Sequence, residues 1–179
     1  MQINRVVISG PESTGKTELA CCLASCFGTV WIPEYAREYI AGLDRPYTYE
    51  DVEYIAREQV RREKEYLRKA SGFLFYDTHL IVTKVWMQVV WSEYPLWIDD
   101  AIRDSHIQLY LVCDTDMEWV PDGVRENGGR MREVLLDMYK KEISSYGIPW
   151  EVVTGHSEER TRCAISKIEK HFNIMTGGK

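Results

Sequence analysis

Eight residues near the start of the chain, Gly10-Pro11-Glu12-Ser13-Thr14-Gly15-Lys16-Thr17, fit the pattern G-x-x-x-x-G-K-[ST]. The stretch before them, Ile3 to Ser9, is a short β-branched run whose apolar centre, Val6-Val7-Ile8, reads as a strand covered on both faces. After them, Leu19, Ala20, Leu23, Ala24 and Phe27 recur at helical spacing until Gly28 stops the pattern. A loop held between a buried strand and a helix N-terminus presents successive backbone N–H groups and a partial positive charge, which suits phosphate oxygens. Gly10 and Gly15 permit the tight path. Lys16 would then stand by the β- and γ-phosphates, and the Thr17 hydroxyl would bind the Mg²⁺ that bridges them. The dinucleotide pattern G-x-G-x-x-G is absent.

The remaining pattern extends this opening. Thr29 to Ile32 repeats the strand signal, and Pro33 closes it ahead of a helix carrying Glu34, Tyr35, Arg37, Glu38 and Tyr39. Asp44 to Tyr49 reads as a loop. From Glu50 to Leu67 an apolar stripe faces inward, while interleaved charges such as Arg57, Glu58, Arg61 and Glu65 form a solvated face. Phe73 to Tyr76 is a strand that delivers Asp77 and Thr78 at its end. Leu80 to Trp91 is apolar nearly all round; periodicity does not separate strand from helix there, and length favours a buried helix. A strand at Ile107 to Cys113, a helix at Met131 to Tyr146, a strand at Trp150 to Thr154 and a helix at Ser157 to Phe172 complete the chain. Strands alternating with helices predict an α/β, doubly wound, mainly parallel sheet between two helical layers, with residues 1–179 as a single domain.

Composition narrows the class further. With 22 basic against 28 acidic residues, a net charge of -6 gives no chain-wide attraction to nucleic acid or anionic lipid. No apolar run reaches the ~18 to 20 residues a membrane helix needs, and no signal sequence opens the chain, so a cytoplasmic protein is expected. The five cysteines show neither a CxxC pair nor zinc spacing, and are read as reduced thiols.

A phosphate loop alone leaves a small-molecule kinase, a switch and a motor open. Three features favour the kinase. Asp77 stands at a strand end, where a carboxylate can hold Mg²⁺ through water or orient an attacking hydroxyl, with a helix N-cap role as the alternative. Glu34 follows another strand end and can accept a proton from an acceptor hydroxyl or bond its sugar; Arg37 can clamp a phosphate, and Tyr35 or Tyr39 can stack on a planar base. Residues 119–132 combine glycines and arginines as a lid would, with Arg125 or Arg130 neutralising charge during transfer. Thr78, Trp119 and Asp122 are further candidates for acceptor contacts. The competing class is a binding module whose ATP or GTP state recruits a partner, with slow hydrolysis; the lack of an N/T-K-x-D motif argues against a GTPase.

The order of these motifs resembles the ribosylnicotinamide kinase domain of the NadR family of P-loop proteins. The residues that carry the likeness are Gly10 to Thr17, then Glu34-Tyr35-Ala36-Arg37-Glu38, then Asp77-Thr78 with Thr83, then Trp119-Val120-Pro121-Asp122-Gly123-Val124-Arg125. The resemblance implies a three-layer P-loop kinase fold and ATP-dependent phosphorylation of the ribose 5′-hydroxyl of nicotinamide riboside. It also implies that Lys16 and Thr17 bind ATP and Mg²⁺, that Glu34 or Asp77 handles the acceptor hydroxyl, and that Arg125 belongs to the lid. Because the first strand begins so close to Met1, neither the DNA-binding nor the adenylyltransferase domain of full-length members is expected. Pro33 stands just before Glu34, where the family leads one to expect an aromatic partner for the pyridine ring, so Trp31, Tyr35 and Tyr66 become the candidates.

Overall fold

The computed structural model describes residues 3–121 and 126–175. Five strands, β1 (Asn4–Ser9), β2 (Val30–Ile32), β3 (Phe73–Asp77), β4 (Leu109–Cys113) and β5 (Trp150–Val153), form one sheet in the order β2-β3-β1-β4-β5. All four strand pairings are parallel, as the alternation of strands with helices predicts. Seven helices cover the two faces: α1 (Lys16–Cys26), α2 (Tyr35–Ala41), α3 (Tyr49–Leu67), α4 (Leu80–Trp91), α5 (Trp97–Asp104), α6 (Arg130–Ser145) and α7 (Ser157–Phe172).

The period of two along a strand divides the core. Val6, Ile8, Phe73, Phe75, Leu109 and Leu111 point to one side, against Leu19 and Leu23 of α1 and Ala164 and Ile168 of α7. Val7, Leu74, Tyr76, Tyr110 and Val112 point to the other, against residues of α3 to α6 such as Val52, Ile81, Ile98 and Leu136. Burial on both faces explains why Val6-Val7-Ile8, Phe73 to Tyr76 and Leu109 to Cys113 read as unbroken apolar runs.

One element bears out its sequence reading for an unexpected reason, and another departs from it. The segment Leu80–Trp91 is a helix, and its all-round apolarity has a double origin. Leu80, Ile81, Val85 and Met87 enter the core, while Val82, Trp86, Val89 and Val90 line a cavity. Helix α5 was not expected at all. It buries only Ile98 and Ile102, too few for a periodic signal, and is held by a long-range contact: the buried Lys84 ammonium of α4 lies 2.9 Å from Asp99 and also pairs with Glu142 of α6. The remaining donor capacity of Lys84 goes to the Tyr146 hydroxyl at 2.8 Å. Among the described residues, no helix is long and apolar enough to cross a membrane.

Candidate active site

Parallel strands send their C-terminal ends to one edge, so the segments after β1, β2, β3 and β4 meet there even though they are far apart in sequence. The central strand β1 leads into residues 10–15, which cap the edge and enter α1 through Gly15, in the left-handed conformation at φ 72°. Gly10 has φ 139°, and a Cβ there would lie 2.7 Å from the Cys113 carbonyl oxygen of β4. The loop therefore runs along the end of β4 at a distance that only glycine permits. Replacing Gly10 with alanine should cost roughly 1–3 kcal/mol of stability from overpacking against rigid backbone. Chemical denaturation measures that loss, and the variant should also lose the thermal shift given by a non-hydrolysable ATP analogue.

The loop is also held from outside. Arg132 of α6, buried, donates to the carbonyls of Met117 at 2.8 Å and Ser13 at 3.2 Å. Arg160 of α7, 3% exposed, donates to the Thr14 carbonyl at 3.0 Å and the Gly155 carbonyl at 2.8 Å, and pairs with Asp116. Two guanidinium groups thus draw loop carbonyls outward, which leaves the N–H side of the loop available for an anion. Within the loop, the Thr14 hydroxyl and the Lys16 ammonium both donate to the Pro11 carbonyl at 2.8 Å.

Asp77 ends β3 in register with Ile8 of β1, and its Oδ2 accepts the Thr17 hydroxyl at 2.5 Å. Its other oxygen, Oδ1, is buried without a hydrogen-bond partner among the described residues. Burial, chiefly, and then the negative charge of Glu34, push the Asp77 carboxyl up to about 6, against the opposing pull of Thr17, Lys16 and Arg37. Thr78 follows in the left-handed region at φ 67°, where its N–H donates to the Ile8 carbonyl at 3.0 Å. A β-branched residue held there is strained, as functional turns often are.

Asp77 and Thr17 fit a magnesium ion. The orphaned Oδ1 needs a partner, the two side chains are hard oxygen donors, and a magnesium site commonly takes its remaining ligands from phosphates and water. No group of three or more His, Cys, Asp or Glu side chains that could hold an ion alone occurs among the described residues.

Glu34 is the N-cap residue of α2, and its carboxylate lies 3.7 Å from Arg37. Both line a cavity of about 170 Å³ that begins at Gly10 and Lys16 and extends past Thr78 to Tyr47, Gln59, Thr83, Trp86 and Tyr139. The cavity is therefore polar beside the phosphate loop and aromatic away from it. Its aromatic wall is not the one expected from sequence. Trp31 packs against the α1/α7 side of the core and Tyr66 against the other. Tyr35 sits under Arg62, whose guanidinium carbon is 4.1 Å from the ring centroid, and faces Tyr39 and Tyr54. The rings that line the cavity are Tyr47, Trp86 and Tyr139, from the α2–α3 loop, α4 and α6. Nothing local marks these three apart from ordinary core aromatics; only Trp86, within the over-apolar α4, carried a hint.

The lid segment is placed in part. Asp122 and Arg125 lie outside the described residues. Arg130 opens α6 and is exposed, whereas the arginines that reach the loop are Arg132 and Arg160. The Trp119 ring packs over Gly128, where an added Cβ would meet it at 3.3 Å. Ser13 and Glu12 bind this segment directly. The Ser13 hydroxyl donates to the Glu118 carbonyl at 3.1 Å and accepts from the Val120 N–H at 3.0 Å, and the Glu12 carboxylate accepts the N–H groups of Glu126 and Asn127 at 3.2 and 2.9 Å.

With this geometry in place, comparison with known proteins is decisive at the level of family. A family model described as an AAA domain matches residues 5–160, from β1 into α7. The chain belongs to that AAA-domain family. Over 148 residues it is 25% identical to the trifunctional NAD biosynthesis/regulator protein NadR of Salmonella typhimurium strain LT2. To the protein of the same name from Escherichia coli strain K12 it is 26% identical over 148 residues. Both matches cover 78% of this chain and 36% of the relative, so the chain spans little more than a third of the length of these proteins. The structure of a NadR protein in complex with NR superposes with a TM-score of 0.82 at 22% identity, covering 97% of this chain and 52% of that one. Deoxyadenosine kinase from M. mycoides, with products bound, superposes at 0.64 and 15% identity over 93% of this chain and 99% of that one. The AAA-domain chain thus has the three-layer fold of P-loop nucleoside kinases, with a parallel sheet flanked by helices.

Proposed function

We propose that this AAA-domain protein is an ATP-dependent kinase that phosphorylates a hydroxyl of a small nucleoside-like acceptor, with nicotinamide riboside the leading candidate. One observation carries the reading: the cavity that starts at the phosphate loop continues past Glu34 into an aromatic chamber. A switch that only hydrolyses nucleotide has no need of an organic chamber beside its terminal phosphate. The lining suits a planar ring packed against the edge-on Tyr47–Trp86 pair, with its sugar directed toward Glu34 and Lys16. The names of the NadR relatives and the NR-bound structure support the choice of acceptor.

The residues divide the work as follows. Backbone N–H groups of residues 10–17 and the Lys16 ammonium hold the β- and γ-phosphates, neutralising charge that spreads over the transferred group. Thr17 and Asp77 hold Mg²⁺, which when bound screens the phosphate oxygens from the incoming nucleophile. Glu34 lines the cavity, unlike Asp77, which is engaged with Thr17; Glu34 is therefore the base. The acceptor oxygen attacks the γ-phosphorus in line, its proton passes to Glu34, and the bond to the β–γ bridging oxygen breaks to leave ADP. Arg37, paired with Glu34, orients that carboxylate and the incoming sugar. Residues 119–132 serve as the lid.

The deciding experiment is ADP release measured with Mg·ATP and a panel of nucleosides. Nicotinamide riboside should raise release by about 10²-fold or more over the acceptor-free rate, because an aligned hydroxyl outcompetes stray water. If no nucleoside stimulates release, the kinase reading gives way to a slow hydrolytic switch.

A further inference from the structure

A chain of hydrogen bonds along the cavity lining joins its aromatic end to the phosphate loop. The Trp86 indole N–H donates to the Tyr47 hydroxyl at 3.3 Å, and that hydroxyl donates to the Glu126 carboxylate at 2.9 Å. The backbone N–H groups of Glu126 and Asn127 then donate to the two oxygens of Glu12, within the phosphate loop. We propose that Tyr47 and Glu126 are positioning residues through which nucleotide bound at the phosphate loop orders the acceptor chamber. This rests on the kinase reading above for the identity of the two sites, but not for the coupling between them.

The direction of the effect follows from charge. Glu12 is a carboxylate in a loop built to receive polyphosphate, and like charges repel more strongly as water is displaced. It is accommodated because it is turned toward two backbone donors of residues 126–127. A polyphosphate in the loop favours that orientation further and so tightens the hold on residues 126–127. Glu126 is then fixed as the acceptor for Tyr47, and Tyr47 for Trp86. The Tyr47 ring also meets Trp86 edge-on at 5.0 Å between centroids, and Trp91 at 6.0 Å, so fixing its hydroxyl fixes one wall of the chamber. Neither Tyr47 nor Trp86 needs to touch nucleotide for this to operate. By reciprocity, an acceptor that orders Tyr47 must strengthen nucleotide binding by the same factor.

Amide hydrogen exchange with and without a non-hydrolysable ATP analogue tests the link without any knowledge of the acceptor. Addition of the analogue to the wild-type chain should slow exchange across residues 45–50 several-fold, although these residues lie on the α2–α3 connection and the start of α3. Tyr47→Phe and Glu126→Ala should abolish that remote protection while the phosphate loop is still protected. Glu126→Gln, which retains a carbonyl oxygen for the Tyr47 hydroxyl, should restore it. Protection of residues 45–50 that persists in Tyr47→Phe, or is absent from the wild type while the loop is protected, overturns the proposal. Failure of the analogue to protect the loop at all would overturn the nucleotide-binding reading itself, and the coupling with it, so the two failures are distinguishable.

Discussion

Lys16→Ala should abolish acceptor-dependent ADP release, with turnover falling by about 10²- to 10³-fold, or roughly 3–4 kcal/mol of lost transition-state stabilisation. The ammonium is the one side-chain cation that the phosphate loop itself contributes. The same substitution should leave the fold unaffected. Among the described residues, the Lys16 ammonium donates to the Pro11 carbonyl beside it at 2.8 Å, and the residue is only partly buried. A loss of this size in a variant whose thermal unfolding matches the wild type identifies a catalytic effect. Undiminished turnover would remove the phosphate loop from the chemistry.

Asp77→Asn should act in opposite directions on catalysis and stability. Asp77 is 2% exposed, and burial first, then Glu34, raises its carboxyl to about 6. In the unfolded chain it returns to the ordinary carboxylate range, near 4. The folded state therefore binds the proton more tightly, so below the unfolded value there is no penalty. As pH rises through this window the native state must ionise a group it prefers neutral, and stability is lost until the folded value is passed. At neutral pH the cost is on the order of 3 kcal/mol at most, from two units of displacement at about 1.4 kcal/mol each. An uncharged amide avoids it while still offering the Thr17 hydroxyl an oxygen. The variant should thus melt several degrees higher than the wild type at pH 7.5, at about 2–4 °C per kcal/mol for a chain of this size. The advantage should shrink as pH is lowered toward 4. Turnover should meanwhile fall about 10²-fold or more, because the ligand for the magnesium ion is gone. Equal stability of the two proteins across this pH range would mean that Asp77 carries no stored electrostatic cost. Such a cost is typical of a group poised for a ligand rather than for folding.

The readings that succeeded and those that missed differ in the range of the interactions behind them. The segment from β1 through the phosphate loop to α1 is encoded by neighbouring residues: buried strand, two glycines in positive φ, then helical periodicity. Any chain with that local pattern has few other conformations to adopt. Asp77 and Glu34 were equally legible, because a polar residue ending an apolar strand in an α/β protein arrives at the ligand edge of the sheet. Helix α5 is hard to read because it is short, buries two residues of its own, and is tied down by Asp99 meeting the distant Lys84. The holding of the loop by Arg132 and Arg160 is illegible for a related reason: an arginine inside a helix looks like surface charge until the fold buries it against distant carbonyls.

Local amino-acid order suffices for the loop of residues 10–17, since such a loop is made of consecutive backbone amides whose geometry depends on the residues that carry them. The proposed acceptor chamber instead exists only once the chain has folded. Tyr47, Trp86 and Tyr139 are brought to one chamber by strand order and helix packing, and convergence across some ninety positions of chain leaves no periodicity for a one-dimensional reading to detect.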